Sequence, residues 1–427
     1  MEHKKAYLLS ASQLKFYLDF AKHEGTEAGS MALLYRWSAE VDADRLAEAI
    51  SQAINNHQMA RLRLFLAVDG VPRQRVEETY RFTQRVEEMS DSEFEQARKT
   101  LKAPFHLWEE PLFHSRLIKT PSACYWLFDV HHIVIDASAL TVLFAEMDRA
   151  YRGEPLLPEV WGPCEIAERE RCYLAQPEGK RALSALCDQW AACEGCFPTP
   201  DKQEPEFSVK LHYAWLDLDM QELNAFTRRI ACSLSALTAA ACCLLLAAYS
   251  GNRRAAVVTA FNNRNLEETR QSVGMISRYL LLGVPMDLEM TVATFLGTVQ
   301  RHTEEGRAYG FANLEAMRQL GKDFVDFMPF VFQGRKTEIV VAGESVSCTI
   351  LPMDGNRDMK PFSLHFMVEQ GRPRVLVIYQ GHRYSEAFVS RFVENYQTVL
   401  RRLLTETDTI AEVMAFWKAK GHTDRFR

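Results

Sequence analysis

Residues Tyr125–Val130 alternate, with Trp126, Phe128 and Val130 on one face and Tyr125, Leu127 and Asp129 on the other, which predicts a strand running straight into His131. Beyond Ala137 the period changes. Leu140, Leu143, Phe144, Met147 and Tyr151 recur at three- and four-residue spacing until Gly153 and Pro155, so an amphipathic helix with a C-terminal stop follows. The two histidines therefore sit in a strand-to-helix turn. Farther on, Val209–Leu218 reads as a strand and Asp219 can cap a helix through Arg229. Ser233 or Ser235 can begin a helix that is apolar all round, Ala236–Tyr249, ending at Gly251. The runs Ala255–Thr259 and Arg374–Tyr379 read as strands, and Phe388, Phe392, Tyr396, Val399 and Leu403 mark a long terminal helix. Between the two groups lie Gln176–Gly179, a short helical stretch around Leu186 and Trp190, and the polar Pro198–Pro205, which together suggest a connection. Strands and helices are mixed in both halves, so each is expected to be an α/β or α+β sandwich.

A length of 427 residues, 47% of them hydrophobic, is enough for two such halves with buried cores. Lys+Arg 50 against Asp+Glu 56 leaves a net charge of -6 without a long block of one sign, which argues against a nucleic-acid binder. The apolar stretch behind Lys4 and Lys5 is broken at once by Ser10, Ser12, Gln13 and Lys15, so no signal peptide is readable. The run Ala236–Tyr249 is too short to span a bilayer, and a cytoplasmic protein without membrane contact is expected. Ten cysteines form no framework; the lone close pair, Cys193 and Cys196, has no second pair at ligand spacing, so no metal is expected there.

His131-His132-Ile-Val-Ile-Asp136 is the most informative segment. With twelve His in 427 residues, His-His-x-x-x-Asp arises by chance about 0.02 times in such a chain. A histidine just past a strand end is held by rigid elements and still projects outward, and a neutral imidazole accepts a proton near pH 7. The plainer alternative is that the histidines are turn residues and Asp136 merely caps the helix. Adjacent histidines on extended backbone point apart, which disfavours a metal.

His131–Asp136 resembles the His-His-x-x-x-Asp-Gly signature of the condensation domains of nonribosomal peptide synthetases, relatives of chloramphenicol acetyltransferase, with Ala137 in place of the Gly. Other segments resemble the family in its own order. Leu9-Ser-Ala-Ser-Gln13-Leu-Lys-Phe-Tyr17 is similar to its opening stretch, and Asn56-His57-Gln58-Met-Ala-Arg61-Leu-Arg63 to its Arg-His-Glu-x-Leu-Arg segment. Ser233–Asn265, the buried helix followed by Ala256-Val-Val-Thr-Ala-Phe-Asn-Asn-Arg264-Asn265, resembles the stretch where the family carries a strand ending in Gly-Arg. Ser272–Tyr279 resembles Ile-Gly-x-Phe-Val-Asn-Thr, with Arg278 replacing the Asn and Tyr279 the Thr, and Met328–Gln333 resembles a late Pro-Leu-Phe-Gln stretch.

The resemblance implies two acetyltransferase-like subdomains, 1–175 and 206–427 joined by 176–205, in a V-shaped pseudo-dimer with a tunnel for an acyl-thioester donor and an acceptor. It implies that His132 faces the reaction, with His131 supporting it, and that Asp136 is a scaffold residue paired with Arg61. Gly274, Ser277, Arg278 and Tyr279 would line the tunnel; Arg278 would meet an anionic group, or else pair with an acid or sit at the rim. No cofactor is implied beyond the phosphopantetheine thioester carried by an acyl or peptidyl carrier protein, or a coenzyme A thioester. The expected activity is amide formation with an amine acceptor. Alternatives are ester formation with an alcohol and a silent, partner-recruiting domain.

Overall fold

The computed structural model describes residues 5–22, 29–322, 326–335, 339–351, 360–405 and 408–419. The chain forms two compact units that are not contiguous in sequence. The first comprises Met1–Ala175, Asn262–Ser277 and Thr337–Asn356; the second comprises Gln176–Phe261, Arg278–Lys336 and Arg357–Arg427. Two segments of the chain's second half thus belong to the first unit.

The first unit is built on a five-stranded sheet in the order Ser347–Ile350, Ser30–Ser38, Ala123–His131, Phe113–Lys119, Val86–Glu88. The alternation of the central strand sets both faces. Cys124, Trp126, Phe128 and Val130 join a core with residues of the helices Ala43–Asn55 and Ala137–Tyr151, such as Ile50, Leu143 and Met147. Leu127, on the other face, packs with Ala32, Leu34, Phe94, Leu101, Ile118 and Leu351. Because both faces are covered, the strand is buried along nearly its whole length. A smaller sheet pairs Tyr7–Leu8, Pro72–Val76 and Leu62–Leu66.

The second unit has a seven-stranded sheet in the order Arg278–Leu282, Ala255–Phe261, Met328–Arg335, Phe362–Glu369, Arg372–Gln380, Val209–Trp215, with Glu194–Gly195 paired to the Ala255 strand. Its core surrounds the helix Leu234–Ser250, capped by the Ser233 hydroxyl and closed by Gly251 at φ 73°. The terminal helix Glu386–Arg402 contributes Phe388, Phe392, Tyr396 and Val399 to that core.

Residues 176–205, expected as a connection, are part of the second unit's body. Pro177–Ala191 is a helix that buries Leu183, Leu186 and Trp190. The polar stretch after it is tied down as well: Tyr384 Oη donates to the Pro198 carbonyl at 2.8 Å and Ser385 N to Asp201 Oδ1 at 2.8 Å. Among the described residues no single helix is long and apolar enough to cross a membrane; Met220–Arg229 and Leu234–Ser250 pass such a test only as a pair bent by 98°.

Candidate active site around His132

His131 ends the central strand, and His132–Val134 form one turn of 3₁₀ helix before Asp136 caps the helix Ala137–Tyr151. The His131 side chain is fully buried, with the rings of Phe20 and Phe105 each 5.8 Å away and edge-on. Its Nδ1 accepts from the Ile133 amide at 3.2 Å, so it shapes the turn. Gly29 makes the turn possible. It has φ +79°, its carbonyl accepts from His132 N at 2.6 Å, and a Cβ there would lie 2.7 Å from His131 Nε2.

His132 is half-buried. Its ring stacks on Phe16, from the helix Ala11–Lys22, with centroids 4.5 Å apart and planes 10° apart. Nδ1 is enclosed without a side-chain hydrogen-bond partner. Burial pushes its proton affinity below the usual histidine value; the backbone carbonyl of His132 works against this, Lys15 adds to it, and Asp136 opposes it. The imidazole is therefore neutral at pH 7.

Asp136 is buried and saturated with donors. Oδ1 accepts from the Ala139 amide at 2.8 Å, and Oδ2 from the amides of Ile276 and Ser277 and the Ser277 hydroxyl at 3.0, 2.9 and 2.9 Å. Arg264 Nη1 lies 3.0 Å from Oδ1 and 3.1 Å from Oδ2, both side chains being about 95% enclosed. Burial raises the carboxyl's proton affinity, but Arg264 and the amide donors outweigh it and hold the group below the usual carboxylate range.

The expected partner, Arg61, is not the one used. Its Nη1 lies 3.4 Å from the exposed Glu78, whereas Arg264 is aimed at Asp136 by further bonds from Nε and Nη2 to the Ser272 carbonyl at 3.3 and 3.1 Å. The physical reason lies in the chain path. Asn262–Ser277 joins the first unit and brings with it a cation, two amides and a hydroxyl.

The remaining expected residues divide. Ala137 is the exposed first residue of its helix and has negative φ. Gly274 lies so close to Pro163 that a Cβ would come within 2.9 Å of its Cγ. The Ser277 hydroxyl is committed to Asp136. In the second unit Arg278 begins a strand and is fully buried, its guanidinium 5.9 Å from the Phe311 ring centroid, so it does not sit at a rim; Tyr279 beside it is half-buried. Among the described residues no group of His, Cys, Asp and Glu has the arrangement of a metal site, and Cys193 and Cys196 are free thiols whose acidity burial weakens. Arg264, Phe16 and Lys15 went unassigned in the sequence; each falls in a matched stretch, but nothing local marks its target.

A second polar network lies elsewhere in the first unit. The fully buried His57 places Nε2 2.9 Å from Glu146 and Nδ1 3.1 Å from Glu159. Glu159 also accepts from the amides of Gln58 at 2.8 Å and Val273 at 2.9 Å, and Glu146 from Asn56 Nδ2. Burial alone would lower the proton affinity of His57, but the two carboxylates overcome it and raise the pKa to about 9.

Fold and site together define a mixed α/β protein whose histidine is displayed at a strand-to-helix turn. The chain belongs to the condensation-domain family, whose model matches residues 3–418. Curated relatives are far longer. The chain is 25% identical to tyrocidine synthase 3 of Brevibacillus parabrevis over 399 residues, 89% of this chain and 6% of that protein. It is 26% identical to bacitracin synthase 3 of Bacillus licheniformis over 181 residues, 42% of this chain and 3% of that protein. The chain thus spans only a few per cent of the relatives it matches.

Solved structures agree in fold. The condensation domain of the monacolin K polyketide synthase MokA superposes with TM-score 0.78 at 16% identity, covering 95% of this chain and 99% of that one. The first condensation domain of the calcium-dependent antibiotic synthetase, in complex with a substrate analogue, gives 0.73 at 14% identity, covering 96% and 98%.

Proposed function

We propose that this chain is a condensation-type acyltransferase that joins a carrier-bound acyl thioester to an amine acceptor at His132. The observation that carries the reading is the half-buried His132 ring, stacked on Phe16 with Nδ1 enclosed, at a turn held by the buried Asp136–Arg264 pair. The acceptor nitrogen attacks the thioester carbonyl carbon, the C–N bond forms, and negative charge develops on the carbonyl oxygen. Collapse then breaks the C–S bond, and the pantetheine sulfur leaves and takes up a proton. An amine that attacks as the free base must lose one proton along the way. A neutral imidazole accepts that proton as it becomes acidic, at Nε2. Asp136 takes no part in proton transfer, because both its oxygens are occupied by donors.

The full chain, incubated with an acyl-loaded carrier protein or a coenzyme A thioester and a panel of amines and alcohols, is expected to yield an amide detectable by mass. His132→Ala is expected to lose at least a hundredfold in turnover, about 2.7 kcal/mol of barrier, with an unchanged melting temperature. An ester product would transfer the reading to alcohol acceptors. Turnover that survives in His132→Ala would remove the histidine from the chemistry.

A further inference from the structure

A catalytic histidine is ordinarily oriented by a carboxylate or carbonyl bonded to the ring nitrogen that does not meet substrate. No carboxylate does this for His132: Nδ1 is enclosed, the backbone of its own turn at His132 and Ile135 acts on the ring, and Asp136, four residues on, is turned to Arg264, Ile276 and Ser277. Packing must therefore hold the ring. The group that packs on it is Phe16, nearly parallel at 4.5 Å. Lys15, its neighbour, places Nζ 4.1 Å from the Phe16 centroid and 3.1 Å from Asp19.

The helix that carries both residues is anchored to the scaffold of the turn. Ser12 Oγ donates to the Ser277 carbonyl at 2.6 Å, and the Ala11 amide donates to the buried Glu170 at 2.7 Å. Gln13 exchanges hydrogen bonds with Gln74 at 2.8 and 2.9 Å, both being buried. A continuous path thus leads from Asp136 to Ser277, to Ser12, along the helix to Phe16, and back to the His132 ring.

We infer that Phe16 is a positioning residue for His132: the stacked ring fixes the plane of the imidazole. This deepens the acyltransferase reading and rests on it. The charged and titratable groups around the ring are Lys15 and Asp19 on the helix, His131 and Asp136 on the turn, and Arg264 behind Asp136. Lys15 and Asp136 act on the ring in opposite senses, and Asp136 is itself paired with Arg264. An aromatic face against an imidazole leaves it free to tilt only at the cost of the stack, which fixes where Nε2 points.

The test is the nuclear magnetic resonance titration of the full chain labelled in histidine, with the His132 signal assigned by its loss in His132→Gln. Phe16→Leu is expected to change the tautomer ratio of the ring and to lower kcat about tenfold with KM nearly unchanged. Phe16→Tyr, which keeps the aromatic face, is expected to restore both. A tautomer ratio unmoved in Phe16→Leu would overturn the inference. These spectra are read without turnover, so failure of the acyltransferase reading leaves them interpretable, and Phe16→Met, which keeps the bulk without the aromatic face, tests the stack even if Phe16→Leu unfolds.

Discussion

His57 and His132 belong to the same unit, yet their neighbours give them opposite chemistry. His57 lies between two buried carboxylates, and a pKa near 9 makes it a permanent cation at neutral pH. His132 has an aromatic ring on one face and a lysine nearby, and its proton affinity falls below the usual value. Burial acts in the same direction on both. The partners decide the outcome, and they also separate a structural ion from a reagent: every nitrogen of His57 is spent inside the fold, whereas Nε2 of His132 is not.

The sharpest way to break this contrast is to unpair the carboxylate beside His132. Asp136→Ala strands the Arg264 cation and leaves the Ile276 and Ser277 amides without an acceptor, at a cost of about 3 to 5 kcal/mol in urea unfolding. Arg264→Leu is expected to match it, and Arg61→Ala to lie near wild type. The carboxyl's proton affinity is held down in the folded state, so its stabilisation is present above the ordinary carboxylate range and is lost as pH falls through the lower folded value. A costly Arg61→Ala with a silent Arg264→Leu would return the pairing to the one suggested by the sequence.

Next in size is the removal of the other histidine. His57→Leu leaves Glu146 and Glu159 facing each other without a cation, and a loss of about 3 kcal/mol at pH 7 is expected. The sign of the pH dependence follows from the raised value. The folded chain holds a proton that the unfolded one releases near pH 6.5, so the stabilisation is complete below that value and is lost as pH rises to about 9. The variant is expected to show a flat stability profile across that window, where wild type declines. Wild type equally stable at both ends would mean that His57 is neutral in the fold.

Much of this arrangement was legible in the sequence wherever one element's own periodicity carried it. The alternation of Tyr125–Val130, the helix after Asp136 and the all-apolar helix before Gly251 are where their patterns place them. The His-His-x-x-x-Asp turn was legible because all its parts lie within six residues. What depended on distant pairing was not. Arg264 reaches Asp136 from 128 residues away because Asn262–Ser277 leaves one unit for the other, and no local pattern announces that crossing. The helix Pro177–Ala191 reads as a connection because polar, proline-containing flanks surround it, although Leu186 and Trp190, at helical spacing, mark its buried face. Arg278 illustrates the same limit, since a cation in a strand gives no sign of being fully enclosed.

The smallest expected effect probes whether the turn around His132 is as settled as the clasp around His57. Ala137 stands where the family's signature has glycine, and a glycine is required only if the backbone is left-handed or something must approach closely. Neither holds here: Ala137 has negative φ, is exposed, and is the first residue of a helix whose cap, Asp136, bonds the Ala139 amide. Replacing it by glycine removes one methyl from the surface and adds backbone freedom at a helix start, a cost of no more than about 1 kcal/mol. Ala137→Gly is therefore expected to melt slightly below wild type and to turn over within a few-fold of it with the same carrier-bound thioester. A large gain in turnover would show instead that the methyl narrows the approach to Nε2, and that the turn beside His132, unlike the buried clasp of His57, had been modified in a way that restrains the chemistry.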